Sequence, residues 1–151
     1  GLAISIGIGV GGEKLGERSG VSSVALSADG RAVYLRGTDG RLRKVDLAGR
    51  ELWSAPVRTG ALPTASVEAE GVVYTISGTG WLTALAATDG SLLWDYQLTP
   101  RLYVFADPVV ADGVVYGVGT DGILTAVRAR RSPSAAAAPS YRFVVASDPP
   151  R

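Results

Sequence analysis

The chain has 151 residues, 46% of them apolar and 19% charged, with a formal net charge of +1; this is a globular composition with no bulk electrostatic pull towards nucleic acid or an acidic membrane. It contains no Cys and no His, which removes disulfides, thiolate metal sites, thiol nucleophiles and the usual neutral-pH acid–base group. No run of 18 apolar residues is present, so no complete membrane-spanning helix is written in it.

In chain order, Leu2 to Val10 comes first, short and apolar. It lacks the basic stretch that precedes a signal-peptide core. We read Ile4 to Val10 as a stray strand and residues 1–20 as that strand plus a glycine-rich loop. Four short strands are predicted next: Val24 to Ser27, Ala32 to Arg36, Leu42 to Leu47 and Glu51 to Val57. Turns at Asp29-Gly30, Thr38-Asp39-Gly40 and Ala48-Gly49 separate them, suited to two-residue hairpins. Residues 61–100 repeat the order with Ser66 to Ala69, Val72 to Ser77, Trp81 to Ala86 and Leu92 to Leu98. A third unit, 101–130, contributes Pro108 to Ala111, Val114 to Val118 and Ile123 to Val127. Residues 131–140 read as a low-complexity linker. Tyr141 to Ser147, within the terminal stretch 141–151, reads as one more strand, with Phe143 standing in for a tryptophan.

These units share a period. Gly37-Thr38, Gly78-Thr79 and Gly119-Thr120 recur every 41 residues, as do Trp53 and Trp94. Gly30, Gly71 and Gly113 each open an apolar run holding a tyrosine. A period of about 40–45 residues made of short strands and glycine turns marks a propeller blade. Several strands carry apolar residues on both faces, Leu82 and Ala84 on one and Leu85 on the other. Such strands lie between two layers, which stacked blades supply. The fold class is therefore all-β: a β-propeller segment of about three four-stranded antiparallel blades, 21–60, 61–100 and 101–130, in an incomplete ring, since closed propellers use 4–8 blades.

The repeats resemble the PQQ-like repeats of bacterial quinoprotein propellers, whose tryptophan-docking pattern is A-x-D-x-x-T-G-x-x-x-W. Ala84, Gly90 and Trp94 stand at its first, seventh and eleventh positions, with Ala86 for the Asp and Asp89 for the Thr. The first unit keeps Asp46, Gly49 and Trp53 but has Lys44 for the alanine and a turn one residue shorter. The third keeps Ala126 and loses the glycine and tryptophan. An indole needs a flat surface, and the glycine peptide four residues before it offers one. Trp53 and Trp94 are expected to staple neighbouring blades in this way.

The resemblance implies the scaffold without the catalytic centre. Quinone-dependent dehydrogenases of this type hold the quinone under adjacent cysteines and a calcium between acidic and amide groups; this chain has no Cys and no Asn. The expectation is thus the non-catalytic branch of the family, similar to propeller lipoproteins of outer-membrane barrel assembly and to sensor propellers of bacterial kinases. That implies an extracytoplasmic place, in the periplasm or at the cell surface. No catalytic, cofactor-binding or metal residue is assigned, and no cofactor. The partners expected are proteins, further blades of the same propeller or other copies of the chain, because end blades should expose apolar faces and strand edges. The rival reading is a fragment of a quinone-dependent dehydrogenase.

Other motifs yield to simpler explanations. Gly7-Ile8-Gly9-Val10-Gly11-Gly12 matches a dinucleotide loop, with Asp29 near the place of a ribose-binding acid. The following Glu13 to Gly20 has two glycines and a single apolar residue, so it cannot pack as the helix such a loop requires. Asp29, Asp39, Asp89, Asp112 and Asp121 all precede glycine. Calcium wants several oxygens from one loop, and turn formation explains these residues better. Arg128, Arg130 and Arg131 read as a solvated blade edge.

Overall fold

A computed structural model describes residues 13–58, 64–98, 106–128 and 139–144. Twelve strands form three separate four-stranded antiparallel sheets. Blade 1 comprises β1 (Val21–Leu26), β2 (Ala32–Gly37), β3 (Arg41–Asp46) and β4 (Glu51–Pro56). Blade 2 comprises β5 (Val67–Ala69), β6 (Val72–Ile76), β7 (Trp81–Ala86) and β8 (Leu92–Gln97). Blade 3 comprises β9 (Val109–Ala111), β10 (Val114–Val118), β11 (Ile123–Arg128) and β12 (Pro139–Val144). Among the described residues strand order follows chain order in every blade, and no sheet closes on itself. The three-blade expectation holds. The stray strand at Ile4 to Val10, the Gly7–Gly12 motif, Arg130 and Arg131 lie outside the described residues.

Blades stack because the inner strands, β2, β6 and β7 most fully, bury both faces, as strands between two layers do. Tyr34, Leu42, Trp53 and Ala55 on one face of blade 1 pack against Val73 and Leu85 of blade 2. The opposite face of blade 2 carries Tyr74, Ile76, Leu82, Ala84, Trp94 and Leu98, which pack on Val115 and Val127 of blade 3. Leu98 reaches deep into that interface. A Cβ on Gly117 would sit 2.5 Å from its Cδ1, so only glycine admits it there.

The turns differ from the two-residue hairpins expected. Only Glu70-Gly71 and Asp112-Gly113 have both residues at positive φ, the geometry of a type I′ hairpin. At Asp29, Asp39, Asp89 and Asp121 the glycine alone is left-handed. Each of these carboxylates instead accepts from the amide two residues on: Arg31, Arg41, Ser91 and Ile123, at 2.9–3.2 Å. The loops are longer than two residues because a side-chain cap replaces the second backbone twist. Asp39 does more. Both its oxygens accept from the Arg43 guanidinium, at 3.0 and 2.5 Å. A Cβ on Gly37 would overlap both partners, 2.2 Å from Asp39 Oδ1 and 2.7 Å from Arg43 Nη1.

A bulge recurs just before the docking position in every blade. It falls opposite Lys44/Val45, Ala84/Leu85 and Ala126/Val127. The extra residue turns Leu52 and Leu93 out to solvent while Trp53 and Trp94 turn inward. The same register in blade 3 sets Tyr141 opposite Ala126, where Trp94 stands opposite Ala84. Tyr141, not Phe143, therefore occupies the tryptophan's place. Phe143 pairs with Leu124, two residues further along the strand, because the insertion before this strand is two residues shorter than that reading requires.

Exposed apolar side chains are found at both ends of the described stack: Val24 and Leu26, cross-strand from Leu35 and Val33 on the outer face of blade 1, are 59% and 62% exposed. Val33, Leu35 and Val45, on the face of blade 1 turned away from blade 2, are buried. Arg18 lies on that side and pairs with Glu51 at 3.9 Å, and Gly20 O accepts from Thr38 N. Val118 of blade 3 is 38% exposed, where its repeat counterpart Ile76 is fully buried.

Two expectations follow. Trp94→Ala should lower stability by about 3–5 kcal/mol, the range for emptying a large core aromatic, read as a shift in the chemical-denaturation midpoint. The Arg43 guanidinium, by hydrogen bonding, holds the Asp39 carboxyl down to about 2. A carboxyl lowered on folding stabilises above its unfolded value of 3.8 and loses that contribution as pH falls through about 2. Thermal melts of the wild type and Asp39→Asn should therefore differ above pH 4 and converge near pH 2.

Candidate functional site: the blade interfaces

The functional groups of the described chain gather between blades. Trp53 sits inward on β4 because the bulge turns it there. Its ring lies over the Gly90 peptide of blade 2, and a Cβ on Gly90 would come within 2.6 Å of ring atom Cε3. Its Nε1 donates to Ala87 O at 3.1 Å, and Lys44 Nζ donates to the same oxygen at 3.0 Å. The staple between blades is as expected, but its platform is different. Gly49, four residues before Trp53, has no described atom within 4 Å of where its Cβ would be. The indole rests on the next blade's glycine, 37 residues on, because the face that buries it belongs to the neighbouring sheet.

Two further contacts cross the same interface and were not legible from residue spacing. Arg36 is buried, 3% exposed, between blades 1 and 2. Its Nη1 donates to Thr75 Oγ1 at 2.9 Å and to Ile76 O, and its Nη2 to Arg58 O at 2.7 Å. These partners are neutral, and burial lowers the guanidinium pKa. Glu68, on the first strand of blade 2, accepts from Tyr34 Oη at 2.6 Å and from Ala28 N at 3.1 Å. Burial, reinforced by this carboxylate, pushes the Tyr34 phenol above its ordinary value. A buried charge in a strand must reach a partner outside its own sheet, so an arginine in the apolar run Ala32 to Gly37 is the one available signal for the first contact.

Blade 2 also fixes the connection that leads into it. The Arg58 guanidinium lies 4.0 Å over the Trp81 ring and pairs with Asp95 at 3.4 Å. Asp95 accepts from Thr83 Oγ1 at 2.6 Å. Between blades 2 and 3, Ala65 N donates to Asp107 at 2.7 Å. The Asp-Gly carboxylates stay apart, each at its own turn. Among the described residues no three Asp or Glu side chains converge as metal ligands.

The indole platform gives a coupled prediction. Trp53→Ala should cost about 3–5 kcal/mol, and Gly90→Ala should also destabilise, through both ring overlap and the left-handed φ of +76°. In the double variant the overlap penalty disappears, so the costs should fall short of additivity by about 1 kcal/mol or more, as for contacting residues. Full additivity by urea denaturation would mean that the two do not touch.

Comparison with known proteins gives the geometry a family. A family model described as outer membrane protein assembly factor BamB matches residues 38–132. Among solved structures, the chain is similar to BamB from Moraxella catarrhalis, with TM-score 0.66 and 22% identity, over 83% of this chain and 37% of that one. It is similar to the computationally designed Ika4 protein, with TM-score 0.62 and 22% identity, over 74% of this chain and 67% of that one. It is also similar to quinohemoprotein alcohol dehydrogenase from Comamonas testosteroni, with TM-score 0.63 and 18% identity, over 82% of this chain and 21% of that one. The chain thus spans well under half of the natural proteins it matches. No curated protein sequence matches it. At these identities the solved structures speak for the fold alone. The family model covers well over half of the chain, and with the repeated blades and indole staple it establishes that the protein belongs to the PQQ-like repeat family.

Proposed function

We propose that the chain is a non-enzymatic scaffold or protein-interaction module, one part of a larger bacterial propeller working outside the cytoplasm. The observation that carries this reading is the use the interfaces make of their reactive groups. Arg36, Lys44, Trp53 and Glu68 are all bound across the join between blades 1 and 2. Groups tied down in this way hold blades in register; they are not offered to a substrate. The family model, described as an assembly factor, supports the same reading. The extracytoplasmic setting rests on that likeness as well.

The rival reading, a fragment of a quinone-dependent dehydrogenase, draws on the fold shared with the alcohol dehydrogenase. The two part at the catalytic centre, where that chemistry needs adjacent cysteines and calcium ligands. The complete reading frame of the gene would show whether they lie elsewhere in the protein.

The test on the chain itself has two arms. Calorimetric titration with the quinone plus calcium, and separately with NAD, should give no binding tighter than about 10 μM, near −7 kcal/mol. Tighter binding of either would overturn the non-enzymatic reading. Sedimentation velocity across a concentration series should show self-association, since edge strands and an uncovered blade face recruit another chain. A compact monomer at every concentration would count against the interaction module.

A further inference from the structure

The side of blade 1 turned away from blade 2 holds a cavity of about 150 Å³. Arg18, Val21, Leu35, Thr38, Asp39 and Arg43 are among its walls. Leu35 is buried at its floor, and Thr38 and Asp39 are exposed at its rim. The charged groups around it are unequally used. Arg43 is spent: its Nη1 and Nη2 donate to the two oxygens of Asp39, and its Nε lies 3.5 Å from Glu51 Oε2. Arg18 meets that same Glu51 oxygen at 3.9 Å from its Nη2, beyond hydrogen-bond reach. Its side chain is 16% exposed, and Nη1 is buried with no hydrogen-bond partner among the described residues. Buried N–H groups on a cation are costly without an acceptor. Arg18 therefore brings unfilled donors to a cavity that it lines.

We propose that this cavity is a binding site for a carboxylate on a short alkyl stem, held by the Arg18 guanidinium. Three features select that chemistry. Carboxylate oxygens match the guanidinium fork, and a charge-assisted bond is about twice as strong as one to a neutral carbonyl. Asp39 and Glu51 balance Arg18 and Arg43, so the surroundings carry no net positive charge; they repel a phosphate dianion and tolerate a single negative charge. Leu35 and Val21 line the cavity with apolar surface, and an engineered cavity of about 150 Å³ in another protein holds benzene, so the stem is limited to a few carbons. A free short-chain acid carries this group, and so does a glutamate side chain of another protein. The site stands apart from the blade interfaces and does not rest on the scaffold reading.

Sodium propionate is the probe, titrated into the isotopically labelled 151-residue chain against sodium chloride at equal ionic strength, and followed by NMR of the backbone amides and the arginine Nε–H groups. The Arg18 Nε–H and the amides of Ser19, Gly20 and Thr38 should shift and saturate at about 1–10 mM, the range of a fragment this small. The Gly90 amide, at the far blade interface, should stay still. Propionamide has the same shape without the charge and should need about tenfold more. Arg18→Gln should abolish the saturable shift and leave the rest of the spectrum in place, since the contact with Glu51 is long; if that variant does not fold, the wild-type contrast between propionate and propionamide decides alone. N-acetylglutamate α-amide separates the two sources. Saturation with it as well as with propionate assigns the site to a protein side chain; saturation with propionate alone assigns it to a free acid. Shifts that do not saturate, that chloride or propionamide reproduces equally, or that persist in folded Arg18→Gln overturn the proposal.

Discussion

A large flat ring on a bare peptide is the contact around which the first two blades are organised. An indole buries a large apolar area and carries one N–H that must find an acceptor. Trp53 satisfies both needs on the neighbouring sheet, with Gly90 beneath the ring and Ala87 O for the N–H. Everything nearby follows from making room for that. Gly90 lacks a Cβ because the ring would collide with one. The bulge beside Lys44 turns Trp53 inward and sends Leu52 to solvent. Lys44, where the family pattern has alanine, passes its charge over Tyr34 to the same carbonyl that the indole uses. A blade is too thin to hold its own core, so its stability lies in its neighbour.

The two interfaces reach stability by different means. Between blades 2 and 3 the packing is largely aliphatic and aromatic, with Gly117 admitting Leu98. Between blades 1 and 2 a guanidinium and a carboxylate are added. Burying a cation among neutral acceptors has a large desolvation cost, and Arg36 offsets it through three oxygens fixed by blade 2 and the connection before it. An aliphatic side chain there would leave those carbonyls to find other donors. The gain from the arginine is register: its acceptors sit at fixed heights along β6, so a blade slipped by one residue would strand the charge. Apolar contacts tolerate such a slip far better.

Much of this was legible in the sequence, for a definite reason. Repeats of one length must share one structure, so Gly37, Gly78 and Gly119 announced the blades, and apolar residues on both faces of Leu82 to Leu85 announced the stacking. What spacing along the chain could not show was any partner in the next repeat. The glycine nearest Trp53 in sequence is Gly49, but the glycine nearest in space is Gly90. Phe143 was misplaced because repeat spacing does not fix the length of the insertion before this strand, and the register elects Tyr141, two residues earlier. Asp-Gly looked like a two-residue turn in five places. Four of them spend the aspartate on capping an amide instead, a choice set by loop length rather than by the dipeptide. Glu68 carried no signal at all, since an acid on an edge strand is ordinary until a tyrosine from another blade is found bonded to it.

The stack has a direction. Trp53 belongs to the outer strand of blade 1 and the glycine beneath it to blade 2, which follows, so the contact is heterologous, head to tail. Heterologous contacts close into rings or run on; they do not end by symmetry. The motif is richest at the start of this chain and thins along it: Trp53 is stapled through its N–H, Trp94 packs in a mostly apolar interface, and Tyr141 takes the third place in register. Apolar side chains are open at both ends, Val24 and Leu26 on the outer face of blade 1 and Val118 on blade 3. A further blade meeting blade 3 would therefore be held by apolar complementarity around Val118 and Leu124, with little polar register to guide it.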